Sequence, residues 1–353
     1  MKIEDNYTDK AIQAIQTCLN EVPFIKIGEI VREPVLLEGR PDLMIKANIS
    51  SGEIVLIVEI KANGQPRIVR NAVDQLQAMV AGNMRYYGVF MAPYIAEASA
   101  DLCKKSGIGY IDFSGNCRLA FGQVYIEITG QPNKYAEKRY LRSLYSPKAS
   151  RVLRVLLTQP RKHWKLMELA KEANVSLGQA ANVKQMLLDR EWLKIIPEGM
   201  YPFNPQNLLA GWAENYSYRK NRIIDLYSIL PVNNLESKIA QTCDELKINY
   251  AFTGFSAAGR LAPMVRYQKA AAYVPDNATA QQLMEKLELR EVPGGANLML
   301  MIPYDEGVYY GMRNIGDVNV VCPIQAYLDV KSNKGRGEEA ALEILQNVIM
   351  MTW

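Results

Sequence analysis

The segment that most constrains how this chain can fold is Glu53–Ile60, EIVLIVEI. A short, nearly unbroken run of aliphatic and β-branched residues reads as a strand covered on both faces. Before it, Pro41–Ile49 (PDLMIKANI) alternates as a strand does, and Ser50-Ser51-Gly52 between them is a turn signal. A hairpin of this kind sets Asp42, at the start of its first strand, beside Glu59, at the end of its second. Lys61 lies two residues beyond Glu59, so its side chain points to the same face. Two carboxylates and an ammonium then converge at one strand end.

That grouping suits metal-assisted phosphodiester chemistry. Mg²⁺ prefers oxygen ligands and keeps several waters, so one or two carboxylates and a backbone carbonyl suffice. The cation polarises a phosphate and acidifies a bound water, and the lysine positions that water or neutralises developing charge. The residues Pro41, Asp42, Glu59 and Lys61 resemble the motif of the PD-(D/E)XK nuclease family. The resemblance implies a restriction-endonuclease-like mixed sheet, Asp42 and Glu59 as ligands of Mg²⁺ or Mn²⁺, and Lys61 as the catalytic lysine. Whether cleavage is retained is a separate question, because fold does not settle function.

The hairpin sits in a first domain expected over 1–130. Tyr7–Leu19 places Ala11, Ile12, Ile15 and Leu19 at helical spacing, and Arg67–Val80 does the same with Val69, Ala72, Val73, Leu76 and Val80. Arg70, Asn71 and Gln75 lie off that stripe, where they serve either as phosphate contacts or as a solvated face. Tyr87–Ala92 reads as a strand, Ile95–Ser106 as a helix, and Ile108–Phe113, Arg118–Phe121 and Gln123–Ile128 as strands that finish the sheet. Ser114-Gly115-Asn116 reads as a tight turn, and Asp112 and Asn116 either reach the active face or cap that turn, capping being the simpler role for both. Residues 131–146, polar and rich in Tyr, Lys and Arg, read as a linker.

Charge is concentrated at mid-chain. Residues 133–222 hold 17 Lys+Arg against 7 Asp+Glu, a balance of +10, which leaves 24 against 30 elsewhere. A basic centre between acidic flanks points to an anionic partner. Residues 147–204 carry the pattern of a winged helix: helices over Pro147–Leu157, Leu166–Ala173 and Leu177–Arg190, then strands over Trp192–Ile196 and Met200–Phe203 turned at Pro197-Glu198-Gly199. Ser176 caps the third helix, which would enter the major groove of double-stranded DNA. On this reading Ser176, Gln179, Asn182, Lys184 and Gln185 face the bases, since Asn and Gln match adenine edges. Arg151, Arg161, Lys162, Lys165 and Lys194 contact phosphates and set position without specifying sequence. His163, the single histidine, lies in the loop Arg161-Lys162-His163-Trp164-Lys165 and reads as a solvated residue. One histidine makes a Ser-His-Asp triad or a multi-histidine zinc site hard to build.

After a helical bridge over 205–230, a third domain over 231–353 alternates helices and strands. Strands are expected over Ile248–Phe252, Ala270–Val274, Leu298–Ile302 and Val318–Val321, and helices over Leu235–Leu246, Pro323–Val330 and Gly337–Ile349. Gly254-Phe255-Ser256 after a strand resembles the opening of a nucleotidyltransferase fold. Active members carry paired carboxylates on the next strand; here that strand is Ala270-Ala271-Ala272-Tyr273-Val274, and alanines bind no metal. A degenerate nucleotidyltransferase-like domain without transfer activity is expected. Asp317 reads as a turn residue.

Several motifs in order carry a second resemblance. After the helix-turn-helix come Leu208-Leu209-Ala210-Gly211-Trp212 and Tyr250-Ala251-Phe252-Thr253-Gly254-Phe255-Ser256-Ala257-Ala258. Gln325-Ala326-Tyr327-Leu328-Asp329 and Gly335-Arg336-Gly337-Glu338-Glu339-Ala340 follow. Over about 147–353 the chain resembles the AbiEi antitoxins and transcriptional regulators of type IV toxin–antitoxin systems. The resemblance implies a winged helix bound to repeats in its own promoter. It also implies a C-terminal domain that counters a nucleotidyltransferase toxin without a stable complex. The nuclease-like first domain departs from the simplest members.

The whole reads as an α/β multidomain protein. The five cysteines are scattered with no CxxC pair, which fits core thiols rather than a disulfide framework. The N-terminus lacks a signal-peptide pattern and no run of about eighteen apolar residues occurs, so a cytoplasmic protein with no membrane partner is expected. The leading reading is a DNA-binding regulator. Its rivals are a Mg²⁺-dependent deoxyribonuclease targeted by the winged helix, and a scaffold that holds protein partners.

Overall fold

The structure, a computed structural model, describes residues 2–50, 52–135, 144–262, 267–333 and 335–353. Of the expected linker, 136–143 lie outside these residues, as does Ser51 of the hairpin turn. The chain divides into two compact units. One comprises Met1–Lys138 with Leu188–Glu191, the other Arg139–Leu187 with Trp192–Trp353.

The first unit is built on one seven-stranded sheet with helices α1 (Lys2–Asn20), α2 (Pro66–Val80) and α3 (Glu97–Lys105). Its strands β1 (Lys26–Arg32), β2 (Leu43–Ile49), β3 (Gly52–Ile60), β4 (Tyr86–Ala92), β5 (Gly109–Asp112), β6 (Cys117–Phe121) and β7 (Val124–Ile128) neighbour one another in chain order. β1–β2–β3 and β5–β6–β7 are antiparallel, while β3–β4–β5 are parallel. Parallel neighbours require crossovers, and α2 and α3 supply them.

The apolar run of β3 is explained by burial on both sides. Leu56 and Val58 join Ala11, Ile15 and Leu19 of α1 in one core, while Val55 and Ile57 join Val69, Ala72, Val73 and Leu76 of α2 in another. β2 instead alternates buried Leu43, Ile45 and Ala47 with half-buried Met44 and Lys46. All five cysteines are buried, and Cys18 of α1 meets Cys117 of β6 with sulfurs 2.9 Å apart.

The second unit begins with three helices, α4 (Pro147–Thr158), α5 (Leu166–Glu172) and α6 (Leu177–Asp189), and a hairpin of β8 (Leu193–Ile196) and β9 (Gly199–Pro202). Trp164 adds an antiparallel bridge to Met200, a third rung beside the hairpin. Pro147 starts α4, where its missing N–H costs nothing. The Ser176 hydroxyl accepts from the Gln179 N–H at 3.2 Å and caps α6, as its sequence position suggests.

The expected helical bridge over 205–230 is an α-helix over α7 (Pro205–Glu214) and a short 3-10 turn over Tyr218–Lys220, and β10 (Arg222–Tyr227) is already a strand of the second sheet. The remaining elements are α8 (Val232–Glu245), β11 (Ala251–Phe252), α9 (Gly254–Leu261), β12 (Ala270–Tyr273), α10 (Asn277–Lys286), β13 (Arg290–Glu291), β14 (Leu298–Ile302), β15 (Arg313–Ile315), β16 (Val318–Val320), α11 (Pro323–Lys331) and α12 (Arg336–Ile344). The sheet runs β13-β10-β14-β12-β11-β16-β15, parallel at β14–β12 and β11–β16 and antiparallel elsewhere. Both sheets are therefore mixed. Asp317 takes a left-handed φ of 60° in the β15–β16 turn, the turn role expected of it.

Gly337 marks where α11 and α12 come closest. A Cβ there would collide with the Val330 carbonyl oxygen, a backbone atom that cannot swing aside. Gly337→Ala is expected to lower stability by about 1–3 kcal/mol. Thermal or urea unfolding of the variant checks this, and an unchanged midpoint contradicts the close approach.

Candidate functional site

The β2–β3 hairpin brings Asp42, Glu59 and Lys61 together. Leu43 pairs with Val58 across the ladder, so Asp42 stands opposite the Glu59 end of β3. The Asp42 N–H donates to the Val58 carbonyl at 3.0 Å, and Asp42 Oδ2 accepts from the Ile60 N–H at 2.6 Å. Glu59 shares the face of Val55 and Ile57 and is 6 % exposed. Lys61 donates from Nζ to Glu59 Oε1, while its own N–H is held by the Met91 carbonyl of β4 at 2.9 Å.

Three influences act on the Glu59 carboxyl. Burial pushes the Glu59 carboxyl above its usual range, the hydrogen bond from Lys61 pulls it back, and the Asp42 charge pushes it up again. A cation relieves both upward influences. Two carboxylates at a strand end fit a hard cation that keeps most of its waters. Among the described residues no group of three or more His, Cys, Asp or Glu converges to form a richer cage.

Asp112 and Asn116 turn out to hold the β5–β6 corner. Asp112 accepts from the Ile95 N–H at 3.1 Å and from the Asn116 N–H and side-chain amide, both at 2.8 Å. Asn116 in turn accepts from the Gln131 N–H at 2.8 Å. Arg70, Asn71 and Gln75 are exposed on the outer side of α2 and join no hydrogen bond with Glu59 or Lys61.

The basic three-helix module divides the predicted DNA contacts into two groups. Ser176, Asn182 and Gln185 are exposed on α6, whose Ala180, Val183 and Leu187 pack inward. Gln179 and Lys184 are half-buried rather than exposed. Arg161, Lys162, Lys165 and Lys194 reach solvent, with Lys162 lying over the Trp164 ring and Lys194 over the Phe203 ring. His163 is exposed, as a solvated loop residue should be.

Arg151 is a correction. Its Nε donates to Asp305 Oδ1 at 2.8 Å, and the two side chains are only 11 % and 8 % exposed. A guanidinium held by a buried carboxylate is not available to a phosphate, so the predicted phosphate role falls away. The partner lies on a loop that the helix pattern of α4 could not reveal.

The second unit also holds a polar cluster around Asp329, a residue the sequence reading named only within a resemblance motif. Asp329 of α11 is 2 % exposed. It accepts from Tyr216 at 2.5 Å, from Tyr273 at 3.1 Å, from the Gln325 amide at 3.0 Å and from the Thr253 hydroxyl. Gln325 also accepts from Arg154 of α4 at 2.6 Å. The spacing Gln325–Asp329, one helical turn, was the available signal. Beside it Ala270, Ala271 and Ala272 of β12 are buried and bring no ligand.

Residues 203–350 match a family described as transcriptional regulator, AbiEi antitoxin, type IV toxin–antitoxin system. That stretch contains Trp212, Thr253, Gln325, Asp329 and Gly337, which are packing and network residues in the structure. No curated protein matches the chain. Among solved structures, a repair endonuclease from Pyrococcus abyssi is similar at 18% identity and a TM-score of 0.22, over 29% of this chain and 46% of its own. An EndoMS–dsDNA2 complex is similar at 17% identity and a TM-score of 0.21, over 29% of this chain and 43% of its own. The chain thus spans less than half of each, and nothing is carried over from likenesses this slight. No helix among the described residues is long and apolar enough to cross a membrane.

Glu59 gives a pH dependence. Its folded pKa is raised above 4.5, so its stabilising contribution is complete below about pH 4.5 and is lost as pH rises through the folded value. Glu59→Gln, which cannot ionise, is expected to be more stable than the native chain near neutral pH, with the gain disappearing in acid. Urea unfolding in chelator at several pH values checks the sign; a variant less stable at neutral pH contradicts it.

Proposed function

We propose that this protein is a DNA-binding transcriptional regulator of the kind its matched family describes, and that residues 147–204 are a winged helix gripping duplex DNA. The observation that carries the reading is the two-sided third helix. Its Ser176 cap fixes the N-terminal turn, its apolar residues pack inward, and Asn182 and Gln185 are presented outward. Exposed Arg161, Lys162, Lys165 and Lys194 supply the phosphate contacts. The second sheet is read as a degenerate nucleotidyltransferase-like domain that counters a nucleotidyltransferase toxin, with alanines where an active member needs carboxylates.

Gel shifts on DNA from upstream of the protein's own gene are expected to give sequence-preferring binding that weakens steeply with salt. Asn182→Ala or Gln185→Ala should cost about tenfold on the preferred site and little on other DNA. Lys165→Ala should weaken all sequences alike and flatten the salt slope. Binding that ignores sequence and survives both helix substitutions would overturn the reading.

The convergence of Asp42, Glu59 and Lys61 favours a second reading, a metal-dependent deoxyribonuclease in the first unit. Asp42 and Glu59 would hold Mg²⁺ or Mn²⁺, which supplies Lewis-acid polarisation of the phosphate and an acidified water. Lys61 would orient that water and offset the charge growing on phosphate oxygens. Plasmid nicking that requires the cation and is lost in both Glu59→Ala and Lys61→Ala is the expected result. DNA left intact over hours by pure protein with either cation counts against it.

A further inference from the structure

A cleft of about 670 Å³ opens in the second unit beside the β8–β9 hairpin. The loop after α4 gives it Arg161 and His163, the end of β9 gives Tyr201 and Phe203, and the indole of Trp353 closes one side. No Asp or Glu side chain lines it. Its walls are fixed from behind. Trp353 donates from Nε1 to the Leu157 carbonyl at 3.0 Å, and Arg161 donates from Nε to the Trp353 carbonyl at 3.0 Å. The His163 and Tyr201 rings pack 5.4 Å apart, and Lys194 Nζ stands 3.3 Å from the centre of the Phe203 ring. Phe203 is nevertheless 50 % exposed and lines the cleft.

This combination is not that of duplex recognition. A paired base offers only its edges in a groove, and flat rings have nothing to stack on. An unpaired base offers its face, and stacking platforms beside cations that track the backbone are the recurring solution for single strands. We propose that the cleft seats an unpaired nucleotide of a single-stranded nucleic acid, DNA or RNA, with the base against Phe203 and Trp353. Arg161 at the cleft and the exposed Lys162 and Lys194 near it would meet the flanking phosphates, and Gln206 at the cleft wall would meet the base edge. An acidic peptide would satisfy the cations but leave the rings without flat partners. The inference stands beside the duplex reading and does not require it.

The test uses the full chain and fluorescence anisotropy with labelled oligothymidylate and oligouridylate of about ten nucleotides, the span such sites cover. Binding to at least one is expected, and the arm that binds more tightly identifies the sugar preferred. Phe203→Leu, which keeps bulk but removes the ring, should weaken binding about tenfold, and Phe203→Tyr should restore it. Arg161→Gln should weaken it and lower the salt slope. Asn182→Ala and Gln185→Ala on α6 should leave oligonucleotide affinity unchanged, so a failure of the cleft is distinguishable from a failure of the duplex reading. The proposal is overturned by absence of binding at roughly 100 μM, by equal affinity for Phe203→Leu and the native chain, or by a polyglutamate peptide that displaces either oligonucleotide more readily than unlabelled oligonucleotide does.

Discussion

The Asp329 carboxylate is the point on which the second unit turns. It is buried without a cationic partner in direct contact, a costly situation unless every lone pair is used. Tyr216, Tyr273, Thr253 and Gln325 all donate to it, from the end of α7, from β12, from the start of α9 and from its own helix. Burial still pushes its pKa up, while the four donors pull it down. Both tyrosines are held well above their ordinary values, first by burial and next by the Asp329 charge. One buried charge thereby fixes four elements at once. Through Gln325 and Arg154 the same network reaches α4, the first helix of the basic module. The module and the second sheet are one unit because polar groups that cannot reach water must reach each other.

Burial also explains the first unit's site. β3 is apolar because helices cover both its faces, and its last residues are where that cover ends. Glu59 stands at this boundary, buried enough to resist ionisation and near enough to Lys61 to be held in place. Asp112, two parallel strands further along, shows the other outcome: its oxygens are taken up by the turn it closes and by the Ile95 N–H.

Much of the fold was legible because it follows local periodicity. The stripe of α2, the alternation of β2 and the cap at Ser176 each depend on residues within a turn or two of one another. The elements that escaped have physical reasons for doing so. β1 carries a register shift between Ile27 and Ile30 that breaks its alternation. α10 buries only Ala280 and Leu283, too little for an apolar stripe. β10 follows the aromatic spacing of Trp212 and Tyr216, which continues a helical pattern past the point where the chain becomes a strand. The aromatic cleft was invisible because Trp353 and Tyr201 are distant in the chain.

The sequence by itself indicated a hairpin that can set a carboxylate beside a second carboxylate and a lysine, because alternation at period two puts Glu59 and Lys61 on one face and the turn and burial pattern set the register. It also determined a basic middle segment with a capped helix. Tertiary structure alone decided which charges are spent inside the protein. Arg151 and Asp305 are 154 residues apart, and Tyr216 and Asp329 are 113 apart. A cation that will face solvent and one that will be sealed against a distant carboxylate look alike in a local window, and only packing, by removing water from one of them, tells them apart.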